Sequence, residues 1–141
     1  MADTTSVNAI MSVAASGLRA QQVRMRIIAE NIANADSTAK TADGDPYRRR
    51  APVFRPTTVD GGGEGVQLSR VAPDSSQFKL AYQPGHPAAD KNGYVKLPNV
   101  DPLIEALDMR GAQRAYEANL NVIETARTMQ LRTLDLLKTG G

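Results

Sequence analysis

At 141 residues the chain is long enough for one domain and short of two. Two Phe, four Tyr and no Trp exclude a large aromatic core, and 17 basic against 15 acidic side chains leave a net charge of +2, too even for a nucleic-acid protein. With no cysteine there is no disulfide and no thiolate metal site.

The start, Met1 to Asn8, is polar and lacks the basic and apolar regions of a secretory signal. The sequence contains no run of about 20 apolar residues of the kind that spans a bilayer. Export outside the cytoplasm would therefore be expected to proceed without a cleaved signal peptide.

Residues 6 to 34 read as a long helix. Met11, Ala14, Leu18, Gln21, Met25, Ile28 and Ile32 alternate steps of three and four, which is a heptad seam. Gln21 is the polar member of that seam, either a solvated edge or a register selector. Val13, Ala20, Val23 and Ile27 form a weaker row on the far side. Gly17 weakens the first turns. Asn31, Asn34, Asp36, Ser37 and Thr38 offer side-chain alternatives to helical hydrogen bonds, so the helix stops near Asn34.

The middle reads as short strands. Tyr47 to Phe54 contains Pro52, which restricts it to an edge or bulged strand. Gly61-Gly62-Gly63 is a flexible turn, and Val66, Leu68 and Val71 suggest a second strand. Phe78, Leu80 and Tyr82 alternate with Lys79, Ala81 and Gln83, which reads as a strand. Pro84-Gly85-His86-Pro87 and Asn92-Gly93 are turns, and Tyr94 to Leu97 is a last strand.

Asp101 to Leu137 reads as a second helix, with Asp101 as N-cap and Pro102 at its first position. At about 1.5 Å per residue it would reach roughly 55 Å, too long for this chain to bury. Ile104, Leu107, Gly111, Ala115, Ala118, Val122, Ala126, Met129, Thr133 and Leu137 lie on one stripe. Gly111 implies close packing. Leu120, Ile123, Leu131 and Leu134 form a second row on nearly the opposite side.

These patterns predict a mainly α chain. Its two long terminal helices, 1–36 with 101–141, pair as an antiparallel coiled coil, and residues 37–100 form a small β-rich insert. The predicted intramolecular seam sets Met11, Leu18, Met25, Ile28 and Ile32 against Ile104, Leu107, Ala115, Ala118, Val122 and Met129. Each helix then keeps a second face that needs another partner. The predicted subunit interface is Arg114, Tyr116, Glu117, Asn119, Leu120, Ile123, Leu131 and Leu134. Arg48, Arg49 and Arg50 join it as an exposed strand edge that discourages aggregation and meets carboxylates on a partner.

Little here supports catalysis. His86 is the only histidine, sits in a turn, and has no spacing that supplies a nucleophile or metal partners. Gly61 to Gly65 is glycine-rich, but no helix opening with Lys-Ser or Lys-Thr follows it, so it is no phosphate cradle. No catalytic residue, metal, cofactor or small-molecule substrate is expected.

Several stretches carry a resemblance. ASGLRAQQVRMRIIAENIANADST is similar to the N-terminal helix of bacterial flagellar axial proteins. PYRRRAPVF, PGHPAADKNGYVKLPNV and RAYEANLNVIETARTMQ resemble the proximal rod members of that family, and the likeness covers nearly the whole chain. The resemblance implies a structural subunit of the basal-body rod, which transmits torque across the periplasm around a lumen. It implies export through the flagellar type III apparatus. It implies further copies, other proximal rod proteins and the rod-to-membrane-ring adaptor as partners, with the terminal helices packed around the lumen. The competing expectation is a cytoplasmic coiled-coil adaptor or flagellar export chaperone with the same helix pair.

Overall fold

The computed structural model describes residues 4–140; the outermost residues of the expected helical domain, 1–3 and 141, lie outside that range. Two long helices frame four strands. Helix α1 covers Thr4–Ala33, strands β1 and β2 cover Arg50–Thr58 and Glu64–Pro73, β3 and β4 cover Lys79–Tyr82 and Tyr94–Leu97, and helix α2 covers Pro102–Thr139. The chain is mainly α with a small antiparallel sheet insert.

Both helix ends follow local chemistry. The Leu103 N–H donates to the Asp101 carboxylate at 3.0 Å, so Asp101 caps α2 with Pro102 at its first position. At the end of α1 the Asn34 side-chain amide donates to the Glu30 carbonyl at 2.8 Å, and the Ser37 hydroxyl donates to the Asn34 carbonyl at 3.0 Å. The Glu30 carbonyl thus takes the Asn34 side chain in addition to the Asn34 N–H at 3.1 Å, and the Ser37 hydroxyl covers the Asn34 carbonyl just past the helix end.

Strand β1 contains both Pro52 and Pro56. The Val59 N–H bonds the Gly63 carbonyl, and the Arg49 carbonyl accepts from Asp74 N–H, both at 2.8 Å. These two bonds differ by one residue in register, so the ladder between them contains a bulge. Near Pro52, Arg50 turns its backbone groups away from β2, toward Asn31. Strands β3 and β4 pair with Leu80 opposite Lys96, Ala81 opposite Val95, and Tyr82 opposite Tyr94.

Packing divides the chain into two compact units, one of residues 4–23, 54–69 and 111–140, the other of 24–53 and 70–110. This partition passes through both helices and through the β1–β2 pair. In the first unit α1 and α2 run antiparallel. The Gln130 amide donates to Asn8 Oδ1 at 2.8 Å. A Cβ at Gly17 would stand 2.8 Å from the Asn119 amide nitrogen. Gly17 thus lets α2 come close to α1, which gives a packing reason for a residue that otherwise weakens the helix.

The inward stripe of α2 differs from the expected one. Glu105, Ala112 and Ala126 are its buried residues, with Asn119 half-buried between them, each seven residues from the next. Ile104 and Leu107 are 53% and 59% exposed. The expected stripe was rotated because it followed the apolar side chains. The helix instead turns small and polar residues inward, where α1 comes close or an ion partner waits.

In the second unit's sheet Leu80 and Tyr82 are 64% and 66% exposed, whereas Val95 opposite Ala81 is fully buried. Lys79 reaches across to donate to the Val100 carbonyl at 2.9 Å. Gly93, at φ 87°, leaves room for the Tyr82 ring, whose Cε2 would lie 2.8 Å from a Cβ there.

Candidate assembly surface

The surface of α2 is held in place by a polar cluster in the second unit. Glu105 is fully buried. Its carboxylate accepts from Arg49 Nε and, at 3.4 Å, from the Asn31 amide. Arg49 also reaches Asp74 Oδ2 at 3.4 Å and Asp108 Oδ2 at 3.6 Å. Asn31, itself 1% exposed, accepts from the Tyr47 hydroxyl at 2.7 Å and the Arg50 N–H at 3.0 Å. Its amide nitrogen donates to the Arg50 carbonyl at 2.9 Å. One side chain thus satisfies the outward backbone groups of Arg50 and ties the last turn of α1 to β1 and to the first turn of α2.

Burial alone would lower the Arg49 guanidinium, but the hydrogen bond and charge of Glu105, with Asp74 and Asp108, outweigh it and raise its pKa. The Ser76 backbone N–H, then the Ser76 side chain and Arg49, hold the Asp74 carboxyl below the ordinary carboxylate range. A carboxyl depressed in the folded state adds stability above its unfolded pKa and loses it as pH falls through the folded value. Asp74→Asn is therefore expected to flatten the acid limb of the pH–stability curve. Urea midpoints measured from neutral pH downward check this: parallel loss in both chains would clear Asp74 of the role.

The arginine run was expected to meet carboxylates on a partner. For Arg49 the carboxylates are this chain's own. Arg48 is likewise engaged, donating to the Asp74 and Ser76 carbonyls at 2.7 and 2.8 Å with its guanidinium 4.1 Å from the Phe78 ring centroid. Only Arg50, beside the Tyr47 ring, is exposed. Sequence reading missed this use because the partners lie 25 and 56 residues further along. His86 is tied into its turn: Nδ1 accepts the Ala88 N–H at 3.0 Å and Nε2 faces the Thr38 hydroxyl at 3.4 Å.

The remaining named positions fall as follows. On α1, Ile28 is buried, Met11, Leu18 and Met25 are half-buried, and Ile32 is exposed. On α2, Ala115, Tyr116, Asn119 and Ile123 are half-buried, and Asn119 also donates to the Ala115 carbonyl at 3.0 Å. Arg114, Glu117, Ala118, Leu120, Val122, Met129, Leu131 and Leu134 are exposed. Among the described residues the large apolar side chains of α2 thus sit mostly in solvent. These side chains leave α2 with an apolar face that no described residue fully covers.

Comparison with known proteins identifies that face's context. Residues 11–39 match the family model described as flagella basal body rod protein, and residues 91–136 match that of the flagellar basal body rod FlgEFG protein C-terminal region. The flagellar basal-body rod protein FlgC of Agrobacterium fabrum is 48% identical over 136 residues, covering 95% of this chain and 97% of that protein. The chain belongs to the FlgC family of flagellar basal-body rod proteins. The Salmonella typhimurium FlgC protein is 43% identical over 90% of this chain and 95% of its own length, and the Bacillus subtilis FlgC protein 37% over 91% and 96%. As a FlgC-family member the chain is a structural subunit of the proximal rod in the flagellar basal body, and not an enzyme. Within the described residues Ile27, Ile28, Val95 and Val100 are buried, as are Glu105, Asn31 and Ser16, while most large apolar side chains of α2 stay in solvent.

Proposed function

We propose that the subunit polymerises through its terminal helices, which pair as an antiparallel coiled coil in the assembled state and build a hollow, torque-transmitting shaft. The observation that carries this is the exposed apolar surface of α2, from Leu103 at 70% exposure to Leu137 at 67%. A helix apolar on more than one side is stable only with several neighbours, and a stack of subunits provides them. Contacts that do not close on themselves generate a filament.

In this reading the partners are further copies, other proximal rod proteins and the rod-to-membrane-ring adaptor, and the shaft crosses the periplasm. The chain reaches it through the flagellar type III export apparatus without a cleaved signal peptide. The helices with residues 1–36 and 101–141 form the assembling domain, and 37–100 is the insert they carry.

Leu131→Asp and Leu134→Asp test this. Both side chains are more than half exposed, so each change should shift monomer stability by no more than about 0.5 kcal/mol. Each removes a leucine worth about 1.5–3 kcal/mol when buried in an interface, a loss of roughly 10- to 100-fold in affinity per contact. The expected result is a folded chain absent from isolated basal bodies and a non-motile cell. Normal incorporation of both variants would refute assembly through α2.

A further inference from the structure

Asn92 is the one asparagine of the chain that a glycine follows. It stands in the connection between β3 and β4, with its side chain exposed, while Gly93 is buried. Two observations fix glycine at position 93. Its φ is 87°, a region that L side chains rarely adopt, and a Cβ there would lie 2.8 Å from the Tyr82 ring and 3.1 Å from Pro84 Cβ. The turn therefore gives Asn92 the neighbour that shields it least. With no side chain at 93, nothing hinders the Gly93 nitrogen from closing on the Asn92 side-chain carbon once the backbone is free to move.

The hydrogen bonds of the turn oppose that approach. The Gly93 N–H donates to the Asp90 carbonyl at 3.0 Å. Asp90 Oδ1 accepts the Asn92 and Tyr94 N–H groups at 2.8 and 2.9 Å. The Asp90 N–H donates to the Tyr94 carbonyl at 2.9 Å, and the Gln83 N–H donates to the Gly93 carbonyl at 2.8 Å. Both backbone groups of Gly93 and the N–H groups on either side are thus tied down. The nitrogen can attack only after it leaves the Asp90 carbonyl, and that requires the turn to open.

We infer that Asn92 is a deamidation site and that the Asp90 turn keeps it closed in the folded chain. In the reaction the Gly93 nitrogen forms a bond to Asn92 Cγ and gives up its proton. The Cγ–Nδ2 bond breaks, and the side-chain nitrogen leaves as ammonia. Water then opens the cyclic imide. Cleavage at Cγ gives aspartate, and cleavage at the main-chain carbonyl gives isoaspartate. Nothing is oxidised or reduced, and water is the only co-reactant. Asp43-Gly44 and Asp60-Gly61 carry carboxylates in place of the amide, which are poorer electrophiles, so Asn92 reacts first. The isoaspartyl form lengthens the main chain by a methylene inside a turn whose span is set by Asp90 and Tyr94. Either product puts a second carboxylate in the turn that Asp90 staples. The register that places Val95 in the core then suffers. Deamidation thus marks chains that have waited unfolded and spares folded ones. This chemistry is independent of how the chain assembles.

Full-length chain incubated in slightly alkaline buffer, folded and in guanidinium chloride, provides the test. Samples are read by peptide mass spectrometry and by labelling with an isoaspartyl methyltransferase. The inference expects Asn92 to convert ahead of every other asparagine in the denatured chain, and about tenfold more slowly or less in the folded chain. Asp90→Ala, shown to be folded by circular dichroism, should convert faster than the folded parent. Asp90→Asn keeps an oxygen for the Asn92 and Tyr94 N–H groups and should stay near the parent. A denatured chain with Asn92 intact would overturn the site. Equal rates in folded and denatured chain, or a folded Asp90→Ala no faster than the parent, would overturn protection by the turn. If Asp90→Ala does not fold, the comparison of folded with denatured parent decides alone.

Discussion

Glu105→Ala should destabilise the purified chain by about 3 kcal/mol, and Arg49→Met by about 4 kcal/mol, in urea unfolding followed by circular dichroism. Removing either member of a buried ion pair leaves the other without compensation. The two losses differ because the two sites differ in solvent access. The Arg49 side chain keeps 23% exposure and has Asp74 and Asp108 to fall back on, whereas the Glu105 side chain is 1% exposed and would retain only the Asn31 amide. Replacing both by apolar residues, Arg49→Met with Glu105→Leu, should cost clearly less than the sum of the single changes, since no charge is then stranded. Strict additivity in that double-mutant cycle would mean that the pair contributes no coupling and that α2 is anchored by other contacts.

Gly65→Ala is expected to cost about 2–3 kcal/mol although it adds one methyl group. A Cβ there would lie 2.5 Å from Ser16 Oγ and 2.7 Å from Val59 Cγ1. Ser16 is 2% exposed and fixed at both ends, its hydroxyl donating to the Val13 carbonyl at 2.7 Å and accepting the Val66 N–H at 3.1 Å. Rotating it aside would orphan a backbone donor between α1 and β2, so the clash cannot be relieved cheaply. Ser16→Ala combined with Gly65→Ala should not restore the parent, because it removes the hydroxyl but leaves the Val66 N–H without its acceptor and Val59 Cγ1 still in the way. Thermal unfolding of the three variants measures this. A Gly65→Ala chain within about 0.5 kcal/mol of the parent would show that β2 does not need this close approach to α1.

The helices were legible because their signals are local. The Asp101-Pro102 cap and the Asn34–Ser37 stop each lie within a few residues of the backbone groups they satisfy. Strand positions were largely legible too, but not their continuity through Pro52 and Pro56, which depends on which backbone groups face β2. The inward face of α2 was read only in part, since Ala126 of the expected stripe is buried while Ile104 and Leu107 are exposed. Pattern reading assigns apolar residues to the core, and this chain keeps Ile104, Leu107, Leu80 and Tyr82 outside. Its interior uses Glu105, Asn31, Ser16 and Asn119, whose partners lie far along the chain and leave no periodic trace. The same pattern set Leu131 and Leu134 on a second row of α2, and both are more than half exposed in the single chain.

The way the compact units are stitched together dictates when they can form. The first unit draws on residues 4–23, 54–69 and 111–140, and its Asn8–Gln130 bond joins positions 122 apart. The second needs Asn31 to find Glu105 across 74 positions. A growing chain lacking residues 111–140 cannot finish the first unit, and one lacking Glu105 leaves the second without its central carboxylate. Loop closure over such separations is slow and unrewarded until the distant segment arrives. A chain still lacking residues 111–140 therefore has no lasting shape in the first unit, and that shape comes only with the final segment.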